Sequence, residues 1–144
     1  MKIVFIVAGL MAVPAVASEP YTVNGDAIER SLTGKMGDAA RGKTLIANRQ
    51  RVLCLLCHTG PFPEPHMQGN LAPNLRDAAG SLSPAQLRLR LVDMRRVNPG
   101  SVMPAFYRAD GFTRIGQTWR GQTILSAEQI EDVIAYLVTL QEKR

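Results

Sequence analysis

Residues 51–61 read RVLCLLCHTGP. Cys54 and Cys57 are the only two cysteines of the chain, and His58 follows the second directly. A disulfide across two intervening residues closes a very small ring, commoner in redox-active dithiols than in structural bridges. A thioredoxin-like dithiol needs a βαβ setting, whereas the strongly periodic stretches of this chain read as helices. Zinc needs four ligands. Cys54, Cys57, His58 and His66 could be offered, but His58 adjoins Cys57 and His66 sits in a proline-rich loop. The third chemistry is c-type haem attachment. Both thiols add to the haem vinyl groups as thioethers, and the neighbouring histidine is carried to the iron on the proximal side. One covalent haem c on Cys54 and Cys57, with His58 as iron ligand, is the expected cofactor. Its apolar surface would also help a chain with 6% aromatic residues to build a core.

The amino end agrees with this chemistry. MKIVFIVAGLMAVPAVASEP has a basic residue, an apolar run from Ile3 to Val13 and small residues at Ala15 and Ala17. That is the three-part pattern of a secretory signal peptide, residues 1–17, with cleavage expected after Ala17. The run is shorter than the roughly 20 residues that span a bilayer, and Pro14 interrupts it. The mature chain is expected in the periplasm with no membrane span. The 144 residues carry a formal net charge of +5, mostly from scattered arginines. Without a long basic tract or aromatic interleaving, this charge predicts a solvated basic surface or a face for an acidic partner, and not a nucleic-acid site.

An electron carrier needs a second axial ligand. Met36, His66, Met67, Met94 and Met103 are the candidates. Met36 precedes the first helix. Met94 falls in a helical stretch, where methionine is commonly core filler. His66 and Met67 follow Cys57 too closely for an easy return to the distal side. Met103 lies in RRVNPGSVMPAFYR. Asn98-Pro99-Gly100 signals a sharp turn after a helix, and Pro104 biases Met103 to extended backbone. Met103 is the expected distal ligand, and methionine opposite histidine raises the reduction potential.

Three helices are predicted. Asp38 caps one running to Val52, with Gly42 inside it. Ser83-Pro84 opens the second, with Leu87, Leu91 and Met94 on its apolar stripe and Arg88, Arg95 and Arg96 off it. Ser126 and Gln129 form a capping box for the third, whose apolar face is Ile130, Val133, Ile134, Leu137 and Val138. No strand pair is predicted. The fold class is all-α, with residues 18–37 as an extension and 38–142 as the haem domain.

This order of elements resembles the class I cytochrome c fold. The resemblance implies that the first and last helices cross at a small residue, Gly42 against Val133 and Tyr136. It also implies that the Pro73 carbonyl accepts a bond from the His58 ring. The stretches NPGSVMPAFY and ILSAEQIEDVIAYL are similar to the small monohaem subunit family of the sulfur-oxidising Sox cytochrome pair, SoxX, from about Arg41 to Leu140. One departure is Val52-Leu53, where family members often carry Gly-Asn. The resemblance implies a heterodimer with a larger SoxA-type cytochrome subunit. Such a pair couples thiosulfate oxidatively to a cysteine on a carrier protein, as an L-cysteine S-thiosulfotransferase. The catalytic haem is then on the partner, and this chain is the non-catalytic electron-transfer subunit passing electrons to a downstream acceptor. In that reading Arg95, Arg96 and Arg108 lie at the rim of the subunit interface, and Phe106 and Tyr107 are its expected anchors. A free-standing soluble periplasmic carrier to a terminal oxidase is the alternative.

Overall fold

The computed structural model describes residues 20–141; the predicted leader and its cleavage point lie outside the described residues. The helices are α1 (Ala39–Ala47), α2 (Cys54–Cys57), α3 (Leu75–Gly80), α4 (Pro84–Asp93) and α5 (Ala127–Gln141). Short 3₁₀ turns at Pro65–Met67, Met94–Arg96 and Gln117–Trp119 punctuate the loops. Among the described residues the extended pairing is limited to one isolated bridge, Asn24 with Ala27. No described helix is long and apolar enough to cross a membrane.

Local capping sets where the helices start. The Asp38 carboxylate accepts the Arg41 N–H at 2.8 Å, and this bond holds its carboxyl below the ordinary aspartate value. Ser83 and Gln86 exchange bonds across the first turn of α4, and Ser126 and Gln129 do the same for α5. The end of α1 differs from the sequence reading. The helix stops at Ala47 instead of Val52, because the Asn48 side chain folds forward to accept the Gln50 and Arg51 N–H groups. A short polar side chain that supplies its own turn competes with helix propagation. Val52 is buried all the same.

Gly42 brings α1 against α5. A Cβ there would run into the carbonyl of Asp132, with Val133 N also close. The expected contact is therefore present at Asp132–Val133, one turn before Tyr136. Ile130, Val133, Ile134, Tyr136, Leu137 and Leu140 turn the rest of α5 to the core, while Val138 is only partly buried.

Charge placement departs from the amphipathic expectation. Arg88, expected off the apolar stripe, is buried between α4 and α5 in a bidentate pair with Glu131, at 2.7 and 2.9 Å. The pair also takes in the extension: Arg88 donates to the Ile28 carbonyl at 2.6 Å, and Glu131 accepts the Leu32 N–H at 2.9 Å. Asp132, next in sequence, accepts from the Asp38 N–H at 2.6 Å and from Arg41 at 2.8 Å. Two adjacent acids of α5 thus fasten residues 28–41. Ile28 and Leu32 are buried in the same core as α4 and α5, so the stretch before residue 38 is part of the packed body.

Candidate functional site

The single turn of α2 fixes the cysteines. Leu53 enters it in the left-handed region, φ 57° and ψ 18°, and His58 leaves it extended, with its N–H on the Cys54 carbonyl at 3.0 Å. Leu55 points into the core at 2% exposure, and Cys54 packs against that core. The two thiols are not bonded to each other. Burial pushes the Cys54 thiol up to about 11. A thiol that resists ionisation is a poor nucleophile for disulfide exchange, which weighs against the redox-dithiol chemistry. No cluster of three or more acidic, histidine or cysteine side chains able to hold a metal occurs among the described residues.

The segment after the motif is strapped to α2. Gly69 N–H donates to the Leu55 carbonyl at 2.8 Å, Ala72 N–H to Cys57 at 2.9 Å and Leu75 N–H to Thr59 at 2.8 Å. Gly69 is needed for this approach, since a Cβ would strike the Leu56 carbonyl. Gln68 ties the loop internally, accepting from Gly60 N–H at 2.7 Å and donating to Phe62 O at 3.1 Å. The straps bring the Pro73 carbonyl 2.6 Å from His58 Nδ1. A carbonyl can only accept, so Nδ1 carries the proton and Nε2 presents its lone pair. A metal-bound imidazole is commonly oriented through its other nitrogen in this way.

Met103 borders the same core as Cys54, partly buried. Its loop is held by Ser101 N–H on Asn98 O at 3.0 Å and by Met103 N–H on Ser101 Oγ at 3.1 Å. Downstream, Phe106 N–H reaches Leu91 O, Tyr107 N–H reaches Val92 O, and Leu125 N–H returns to Phe106 O. The other candidates sit differently. Met36 is 95% exposed, and Met67 is 54% exposed with its carbonyl held by Arg49. His66 is exposed in the same short turn, and Met94 lies in the 3₁₀ turn that follows α4. Phe106 and Tyr107 are not surface anchors: both are buried, at 4% and 2%, because those two ladder bonds draw them under the loop.

The residues fit a haem. Two unbonded thiols lie one helical turn apart beside an imidazole with a free nitrogen. Leu56 between the cysteines, Leu71 beside the strap at Ala72, and Val102 beside Met103 are large apolar side chains turned outward. A porphyrin on Cys54 and Cys57 is the kind of flat apolar surface they can cover. Sequence reasoning placed Arg108 at the rim of a partner interface and missed its burial against Asp93. Its Nη1 donates to the buried Asp93 at 2.9 Å and its guanidinium lies over Phe112, yet Nε is buried without a hydrogen-bond partner. Proximity to Met103 in sequence was the available signal; burial of the nitrogen was not.

The family model for cytochrome c matches residues 39–141. The chain belongs to the cytochrome c family. Haem c, covalently bound, is accordingly its cofactor, and the all-α architecture is the class I fold. Among solved structures, the chain is similar to a chain of the crystal structure of SoxXA from P. pantotrophus. The identity is 34% and the TM-score 0.77, over 89% of this cytochrome and 99% of that chain. Comparison with curated proteins gave no match. The SoxXA likeness runs over nearly the whole solved chain, so this cytochrome is a SoxX-type one.

Proposed function

We propose that this cytochrome is the small electron-transfer subunit of a thiosulfate-oxidising SoxAX-like complex in the periplasm. The observation that carries the reading is the 34% identity to a SoxXA chain over 99% of its length. The free-standing carrier is the weaker reading, because the matched chain is part of a complex. The partner would be a larger cytochrome bearing the catalytic haem, with the carrier-protein cysteine and thiosulfate meeting there. Once Cys54 and Cys57 hold haem, this chain has no other thiol to act as nucleophile.

The geometry supports the residue roles proposed here. When bound, the haem supplies a one-electron couple. Cys54 and Cys57 hold it as thioethers, so it is retained through every turnover. His58 would offer Nε2 to the iron, and the Pro73 carbonyl, accepting a hydrogen bond from Nδ1–H, would fix the ring and raise its basicity. Met103 would offer its thioether to the iron, from a loop pinned to the end of α4. A methionine–histidine ligand pair would favour the reduced iron, which suits a subunit that accepts electrons. Leu56, Leu71 and Val102 would cover part of the porphyrin's apolar surface.

Co-expression with a SoxA-type subunit, followed by sizing in high salt, tests the assignment. A stable heterodimer that survives salt is expected, since buried apolar contacts and not surface charges hold such interfaces. Complete dissociation in high salt would favour the free carrier.

A further inference from the structure

We propose that Arg108 is a positioning residue for the haem, its free Nε–H receiving one of the haem propionate carboxylates. The proposal rests on haem attachment and does not depend on the identity of the partner subunit.

The first argument is an unmet donor. Arg108 has a side chain 23% exposed, and its Nε is shut off from solvent without an acceptor. A buried donor left unpaired costs about 1–3 kcal/mol, and guanidinium donors are the strongest case because the charge cannot be removed. The Phe112 ring, 4.4 Å from the guanidinium carbon, offers a face to the cation but no lone pair to Nε.

The second argument is charge. The buried Asp93 carboxylate faces two guanidinium groups, Arg108 at 2.9 Å and Arg95 at 3.8 Å. One anion against two cations leaves the spot net positive, and a second carboxylate would balance it. Asp93 is already committed further, since it caps the Met94–Arg96 turn through Arg95 N–H.

The third argument is position. Arg108 follows directly on Phe106 and Tyr107, whose N–H groups bond to the Leu91 and Val92 carbonyls at the end of α4. These bonds and the Asp93 pair give the guanidinium a fixed place relative to the Met103 loop. A pre-organised fork of this kind is suited to a planar carboxylate. Haem brings two such groups, on the edge opposite the vinyl groups that the cysteines consume. A surface-exposed arginine would not make this case; the buried Nε does.

The experiment uses the full holoprotein with its haem carboxylates carbon-13-labelled through labelled 5-aminolaevulinate. Infrared difference spectra between oxidised and reduced protein then report propionate stretches by their isotope shift. Arg108→Gln should move the labelled bands toward those of a solvated carboxylate, and Arg108→Lys should move them less. If Arg108→Gln does not mature, Arg108→Lys carries the test alone, because it keeps the charge beside Asp93 and removes Nε–H. Labelled bands that stay in place in both variants overturn the proposal, even if stability falls, since a purely structural arginine would give that pattern. Unchanged bands with weakened binding of the larger subunit would overturn it in favour of a partner carboxylate on Nε.

Discussion

The two sides of the proposed haem site are built in different ways. On the His58 side, a single turn of helix and the loop to Leu75 are tied by bonds between residues no more than about twenty apart. On the Met103 side, the loop hangs from the end of α4 and from Leu125, and α4 is itself held through the Arg88–Glu131 pair. The first region is local and carries the two cysteines proposed to anchor the cofactor. The second is placed by the tertiary frame. The difference suggests that damage to the proximal side abolishes the cytochrome, while damage to the distal side leaves a haem protein with altered ligation or stability.

The sharpest break in that comparison is loss of both thiols. Cys54→Ser with Cys57→Ser should remove all haem from the polypeptide in denaturing electrophoresis, whereas the wild type keeps its haem stain. Haem retained by the double variant would refute thioether attachment. The next largest effect should come from the frame. Glu131→Ala leaves Arg88 buried without its carboxylate and the Leu32 N–H without its acceptor. Denaturant unfolding should show a loss of about 3–5 kcal/mol, with the covalent haem unaffected. A loss below about 1 kcal/mol would mean that water or another acid takes the place of Glu131.

Met103→Ala tests the distal side alone. The weak red-edge absorption of a histidine–methionine ferric haem should vanish and the potential should fall, while haem stays attached. If the band persists and is lost instead on replacing Met94 or Met67, the ligand is a different methionine. The smallest expected effect is a gain. Leu53 holds a left-handed conformation that costs a branched residue about 1–2 kcal/mol. Leu53→Asn should recover about 1 kcal/mol in the same unfolding experiment, because asparagine tolerates this region. No gain, or a loss, would show that the Leu53 side chain contributes packing that offsets the strain.

The Leu53 result bears on the departure at Val52-Leu53. Asn at position 53 would be at ease at the entrance of α2, and the leucine found there is partly exposed. Val52 is buried, so an apolar residue replaces small-residue freedom with packing. The same entrance explains a gap in the sequence reading. A single helical turn such as α2 has no periodicity to read, and α3 was missed for the same reason. Caps were legible because each is a local exchange: Asp38, Ser83 and Ser126 all start helices where their side chains can reach the first free N–H groups. The end of α1 was not, since Asn48 is an ordinary helix residue unless its side chain finds Gln50 and Arg51.

The sequence by itself determined the cofactor chemistry and the helical class, and its family resemblance implied the close approach at Gly42. The first two depend on residue type and spacing along a few turns. Only the tertiary structure decided that Arg88, Glu131 and Asp132 lie inside, that Ile28 and Leu32 belong to the core, and that Phe106 and Tyr107 pack inward. A charged residue in an amphipathic pattern reads as solvated. Whether it is buried depends on a partner from a distant segment, here Glu131 for Arg88 and Asp93 for Arg108. Such pairs join residues whose separation in sequence carries no periodic signal, so burial and unmet donors such as Arg108 Nε emerge only when the chain is folded.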